Sequence, residues 1–151
     1  MPRVLALDYG TVRTGAALSD PLGIFAQALP SLPAAVRRDL LVAVTKLCRE
    51  QNVGEIVVGL PRRLDGSEGD AAVQARAMGE RVRAATKLPV HYLDERLTTA
   101  AAQRVMIAGD ASRHERREKI DGMAAVMILQ NFLDRREANA PPVPPVPPAP
   151  E

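Results

Sequence analysis

The chain has 151 residues, a length that a single domain normally fills. It is 46% hydrophobic and 25% charged, which is typical of a globular protein, and no apolar run approaches the length of a membrane span. The net charge of +2 permits an anionic partner without requiring one. The single cysteine, Cys48, excludes an internal disulfide and a cysteine-based zinc site. These features, together with an N-terminus that lacks the apolar core of a signal peptide, predict a cytoplasmic protein with no membrane partner.

Three apolar segments follow one another at the start of the chain. The run "RVLAL" (3–7) is continuously apolar, as a central strand is, and residues 14–20 and 25–32 are also strand-like. The links between the three segments are short, and short links favour antiparallel neighbours. The three segments therefore predict an antiparallel meander.

Helices and strands alternate in the next part of the chain. Apolar residues at helical spacing predict helices, and short apolar runs closed by Gly, Pro or acids predict strands. The predicted segments are a helix over 33–52, a strand over 55–61, a polar loop over 62–70, a helix over 70–86 and a strand over 88–96. This order predicts an α/β fold with a mixed five-stranded sheet, three strands antiparallel and two parallel, and helices on both faces.

The last third of the chain is mainly helical in pattern. A helix is predicted over 97–109, a charged connector over 110–119 and a second helix over 120–137. The segment "APPVPPVPPAP" (140–150) has seven prolines, which cannot supply backbone N–H groups to a sheet or helix. We therefore expect a folded domain over 1–137 and a disordered proline-rich tail over 138–151.

Three acidic positions lie at the predicted boundaries of elements. Asp8 ends the first strand, Asp94 and Glu95 end the fifth, and Asp121 begins the last helix. Ligands of open α/β sheets bind at the carboxyl ends of parallel strands. Carboxylates that converge there repel one another unless cations lie between them, and oxygen ligands favour Mg²⁺ or Mn²⁺. Taken singly, Asp8 could instead cap a turn, and Asp121 could simply start a helix near its positive dipole end.

Geometry favours Glu95 over Asp94 as the acid that enters the site. Consecutive strand residues point to opposite faces, so only one of the two can do so. If the strand order is 1-4-5, the fourth strand separates Asp8 from the fifth strand, and the longer glutamate spans more of that gap. Gly59, near the end of the fourth strand, leaves the space open.

Four separated motifs resemble those of the YqgF/RuvX family. They are "LALDYGTVRTGAALSD", "EIVVGLPRRLDGSEGD", "LDERLTTAAAQ" and "KIDGMAAVMIL", in this order from about residue 3 to residue 134. The resemblance implies a ribonuclease H-like fold related to Holliday junction resolvases, and a role in maturing the 5′ end of the 16S ribosomal RNA precursor in the bacterial cytoplasm. It also implies that Asp8, Glu95 and Asp121 are the metal-binding catalytic acids. The proline-rich tail is not a feature of the family.

The chemistry implied is hydrolysis of a phosphodiester with two divalent ions, Mg²⁺ or Mn²⁺, held by the three acids. Because only 3% of residues are aromatic, nucleic acid would be held by charge and backbone groups rather than by stacking. Gly10 would let the backbone approach a phosphate, and Thr11 would offer N–H and hydroxyl donors. Four arginines are candidate phosphate clamps: Arg13, Arg62, Arg63 and Arg96.

Several functions remain open from the sequence. The predicted substrate is ribosomal RNA precursor, with the small ribosomal subunit as a potential partner, and the alternative is a four-way DNA junction. A junction resolvase cuts two strands symmetrically and needs a two-fold dimer, whereas the other functions fit a monomer or weak homodimer. A catalytically silent RNA-binding assembly factor is a further alternative. Nucleotide binding of the actin-like kinase type is a weaker one, because such kinases need two such domains around the nucleotide.

Overall fold

The computed structural model describes residues 2–95 and 113–139, except for the side chains of residues 113–121 and 137–139. The strands are β1 (Arg3–Asp8), β2 (Arg13–Ser19), β3 (Ala26–Pro33), β4 (Val53–Leu60) and β5 (Val90–Asp94). The helices are α1 (Arg37–Glu50), α2 (Asp70–Thr86) and α3 (Arg113–Asn139). The helix predicted over 97–109 and the proline-rich segment lie outside the described residues. Within these residues, no helix has the length and apolarity needed to cross a membrane.

The five strands form one mixed sheet in the order β3-β2-β1-β4-β5. β2 is antiparallel to β1 and to β3, whereas β4 is parallel to β1 and to β5. The predicted meander and the predicted parallel half are thus both confirmed. The parallel strands β1, β4 and β5 end at the same edge of the sheet, which is called the carboxyl edge below.

Helices cover both faces of the sheet, because alternate residues of each strand point to opposite faces. Leu5 and Leu7 of β1 face α1 and α2, where they join a core with Leu40 and Val82. The intervening residues of β1 face the other way and pack against α3. That second core contains Val4, Ala6, Val57, Leu93, Ala125, Ile128 and Leu129.

The start of the last helix differs from the prediction. The predicted connector over 110–119 is helical from Arg113 onward, so Asp121 lies inside α3 and does not begin it. The prediction that Asp121 begins the last helix, where it would interact with the helix dipole, is therefore wrong. The charged segment "RHERREK" (113–119) lacks apolar residues at helical spacing, which is why the sequence predicts a connector there. Arg, Glu and Lys are nevertheless strong helix formers, which accounts for the helical backbone of this segment.

Candidate active site

Asp8 is the last residue of β1 and is only 8% exposed. It continues the alternation of Val4 and Ala6, the two β1 residues that pack against α3. Its carboxylate therefore belongs to the α3 face of the sheet, at the carboxyl edge. A nearly buried carboxylate at that position is costly unless other groups hydrogen-bond to it or a cation binds it.

Glu95 directly follows β5 and is 3% exposed. It shares its face of the sheet with Leu93, which packs against α3, whereas the intervening Asp94 is half-buried. A Cβ atom placed on Gly59 would lie 3.2 Å from Cγ of Glu95. The Glu95 side chain thus extends back over β4, in the direction of β1.

Gly59 lies between the two acids. Leu7 of β1 is paired with Val58, which sets Asp8 level with Gly59 on the neighbouring strand. A Cβ on Gly59 would also lie 2.5 Å from Cδ1 of Ile128 in α3, closer than such atoms approach. The glycine therefore gives room to both Glu95 and α3. Asp8 and Glu95 flank it on the same face of the sheet.

Asp121 lies in the part of α3 that precedes this contact. It is four residues before Ala125 and seven before Ile128, a spacing that repeats along one stripe of a helix. Its side chain is outside the described part of the structure. Among the described side chains, no three His, Cys, Asp or Glu residues group together as metal ligands.

The turn after Asp8 is tight because Gly10 approaches Arg13. A Cβ on Gly10 would lie 2.3 Å from the carbonyl oxygen of Arg13, so no other residue fits this turn without rearrangement. Thr11 is exposed at its tip, and Arg13 begins β2 half-buried. The N–H of Ala34 donates a 2.9 Å hydrogen bond to the carbonyl of Val12, which fixes the turn to the segment before α1.

The loop between β4 and α2 is ordered by an ion-pair cluster that the sequence did not reveal. Arg76 donates two hydrogen bonds to Glu68, of 3.1 and 2.8 Å, and Arg62 Nη2 lies 3.5 Å from the same carboxylate. The hydrogen bond from Arg76 lowers the pKa of Glu68, and the charge of Arg62 adds to the effect. The only hint in the sequence was an acid, Glu68, placed shortly before a helix that carries Arg76.

The predicted phosphate clamps therefore have different surroundings. Arg62 is half-buried at the carboxyl edge, and its Nε atom is buried with no hydrogen-bond partner within the described part of the chain. Arg63 is exposed, and its Nε would lie 3.0 Å from a Cβ on Gly69. Arg96 lies outside the described residues.

The strand order and the helices on both faces define a ribonuclease H-like fold, which solved structures share. RuvC of T. thermophilus in complex with a Holliday junction substrate superposes with a TM-score of 0.58 at 13% identity, covering 95% of this chain and 100% of RuvC. The fowlpox virus Holliday junction resolvase superposes with a TM-score of 0.50 at 12% identity, covering 88% and 99%. At these identities the likeness shows the fold alone.

The sequence itself defines the family. The profile described as "RuvX: Holliday junction resolvase" matches residues 2–135, and the chain belongs to this family. A protein of Moorella thermoacetica named "Putative pre-16S rRNA nuclease" is 49% identical over 140 residues, covering 91% of this chain and 98% of the relative. A protein of Lactobacillus delbrueckii with the same name is 46% identical over 136 residues, covering 87% and 96%.

Proposed function

We propose that the protein is a metal-dependent nuclease that hydrolyses phosphodiester bonds in the 16S ribosomal RNA precursor at its 5′ end. The observation that carries the proposal is the pair of buried acids, Asp8 and Glu95, which flank Gly59 at the carboxyl edge of the sheet. The names of the relatives support the nuclease activity and the RNA substrate.

The residues fit a divalent cation. Both acids offer only carboxylate oxygens, which Mg²⁺ and Mn²⁺ prefer, and the missing side chain at Gly59 lets Glu95 extend over β4 on the face of the sheet that carries Asp8. Asp8 and Glu95 would hold the metal, and Asp121 would complete the set from α3. Two bound ions would supply an activated water and would neutralise the charge that develops on the leaving oxygen.

The other residues proposed for the site bind and orient the substrate. The backbone of the Gly10 turn and the Thr11 hydroxyl would donate hydrogen bonds to a phosphate. Arg13 and Arg62 would contact neighbouring phosphates, Arg62 by exchanging Glu68 for the substrate. We assign Arg63 and Arg96 to the same surface from the sequence pattern.

Cleavage of a four-way DNA junction is the second candidate. The description of the family favours it. A resolvase that cuts both strands symmetrically needs a two-fold dimer, so a monomer in solution would argue against this function.

The deciding experiment uses the purified full-length chain with three labelled substrates: 16S precursor RNA, an unstructured RNA and a four-way DNA junction. Each substrate is incubated with Mg²⁺, Mn²⁺ or EDTA. We expect cleavage of the precursor RNA at a defined position near the 5′ end of the 16S sequence, only with metal. Paired symmetric cuts in the junction and an intact precursor would instead assign the resolvase function. Binding of precursor RNA without cleavage under any condition would leave an assembly factor that has no nuclease activity.

A further inference from the structure

A basic groove runs between α1 and α2, on the face of the sheet opposite to α3. Its volume is about 790 Å³. Five of the residues that line it are cationic and one is acidic. The cations are Arg37, Arg38, Lys46, Arg49 and Arg81, and the acid is Glu50.

Most of this positive charge is uncompensated. Lys46 Nζ lies 3.9 Å from Glu50, a long pair between two exposed side chains. The four arginines are exposed and make no ion pair within the described part of the chain. Because five cations and one acid line the groove, it suits an anionic ligand with several charges spaced along its length.

Apolar side chains also line the groove. Leu41, Val42 and Ala85 line it between the charged side chains, and Val42 is 61% exposed. A nucleic acid strand matches this combination, because its phosphates alternate with sugars that carry C–H surface. Guanidinium groups can also donate two hydrogen bonds to one phosphate.

The groove leads away from the candidate active site. α1 ends at Glu50, just before β4 begins, so its first residues lie at the opposite end, by the carboxyl edge. The hydrogen bond from Ala34 to Val12 ties the start of α1 to the turn that follows Asp8. α1 has 14 residues and is therefore about 21 Å long, enough to bind a strand well beyond the cleavage point.

We propose that the α1–α2 groove is a second nucleic-acid-binding site, which holds the sugar–phosphate backbone of a substrate segment that lies outside the active site. This inference rests on the proposed function, because that function identifies the anionic ligand as nucleic acid. Binding in the groove needs neither metal nor cleavage, so it can be measured separately from catalysis.

The test compares two full-length triple variants that lose the same charge. The groove variant carries Arg38→Gln, Arg49→Gln and Arg81→Gln, and the control carries Arg3→Gln, Lys87→Gln and Arg135→Gln. The affinity for a long single-stranded RNA is measured in EDTA over a range of salt concentrations. Each lost phosphate contact lowers the slope of log affinity against log salt by about 0.7. We expect the magnitude of this slope to be smaller by about 2 in the groove variant than in the wild type, and to change little in the control.

Cleavage of short and long substrates gives a second readout. A short oligonucleotide that reaches only the active site should be cut at the wild-type rate by the groove variant, whereas a long RNA at low concentration should be cut more slowly. Equal losses of slope in both triple variants, or no loss in the groove variant, would overturn the proposal. A wild-type protein that cleaves nothing but shows the expected slopes would overturn the nuclease function and leave the groove site standing.

Discussion

The missing side chain at Gly59 leaves room for Glu95 on the face of the sheet that carries Asp8. The space above it is taken by Cγ of Glu95 and by Cδ1 of Ile128. Any side chain at this position would push against both the candidate acid and the helix that carries Asp121. A substitution at Gly59 would therefore affect both the packing of α3 and the position of the candidate acid Glu95.

We predict that Gly59→Ala destabilises the protein by about 1–3 kcal/mol, the usual cost of overpacking, and also lowers the cleavage rate because Glu95 is displaced. Denaturant unfolding and a cleavage assay measure the two effects. Gly54→Ala is the control at the opposite end of the same strand: its added Cβ would lie 2.3 Å from Cβ of Pro2, so it should also destabilise the protein, but the folded variant should keep the wild-type cleavage rate. Wild-type cleavage by folded Gly59→Ala would show that the position of Glu95 does not matter.

The surroundings of the candidate site residues could be predicted from the sequence only in part. The alternation of side chains, the reach of glutamate and the missing side chain at Gly59 predict the placement of Glu95 on the face that carries Asp8. The Glu68 cluster could not be predicted, because its partners Arg62 and Arg76 are brought together by the path of a loop rather than by a repeating pattern.

At the scale of elements, α2 is fixed to β5 through Tyr92. Gly79 lets the ring approach, since a Cβ there would lie 2.5 Å from the Tyr92 hydroxyl oxygen. The hydroxyl donates a hydrogen bond to the Glu80 carboxylate, and its oxygen lies 3.1 Å from the Arg76 carbonyl oxygen. The Arg76 guanidinium lies 4.9 Å from the ring centre. Arg76 thus links the β4–α2 loop to β5, the strand that positions Glu95.

We predict that Tyr92→Phe lowers the free energy of unfolding by about 1 kcal/mol at neutral pH, the usual net contribution of one hydrogen bond. Burial, helped by the hydrogen bond to Glu80, raises the pKa of Tyr92 to about 12 from 10.0. A raised pKa gives stability that is complete below pH 10 and is lost as the pH rises to about 12. Between these limits the wild type should lose stability more steeply than Tyr92→Phe.

Unfolding curves at neutral and alkaline pH test this, with Tyr9→Phe as the control. Parallel pH profiles for the wild type and Tyr92→Phe would show that Tyr92 does not contribute to the alkaline transition.

The elements themselves were largely predictable. Continuous apolar runs gave β1, β4 and β5, and the short links between the first three strands gave the antiparallel half of the sheet. The prediction was wrong at the first turns of α3, where the sequence carries charged residues and no apolar residues at helical spacing. Their helical structure follows from intrinsic propensity and from continuity with the packed part of the helix.

At the scale of the whole molecule, we propose that the folded unit ends close to the end of α3, as the sequence indicates. The proline-rich segment that follows has seven residues without a backbone N–H group. We predict that deleting residues 140–151 changes the melting temperature by less than about 2 °C, far below the shift of one lost core contact. A scanning calorimetry comparison with the full chain tests this, and a large drop would show that the segment packs on the domain or on a second copy.

The central claim is that Asp8 and Glu95 hold a catalytic metal, and the most direct test is a paired measurement on Asp8→Asn. The substitution removes a charge and keeps the shape of the side chain. The cleavage rate at saturating Mn²⁺ should fall by on the order of 10²-fold or more, the scale of losing one electrostatic catalytic group. RNA affinity in EDTA should be retained, because phosphates are bound by arginines and backbone groups. The matched control, Asp94→Asn, alters the neighbouring acid on the other face of β5 and should keep the wild-type rate. Full activity in Asp8→Asn would contradict the metal-nuclease mechanism.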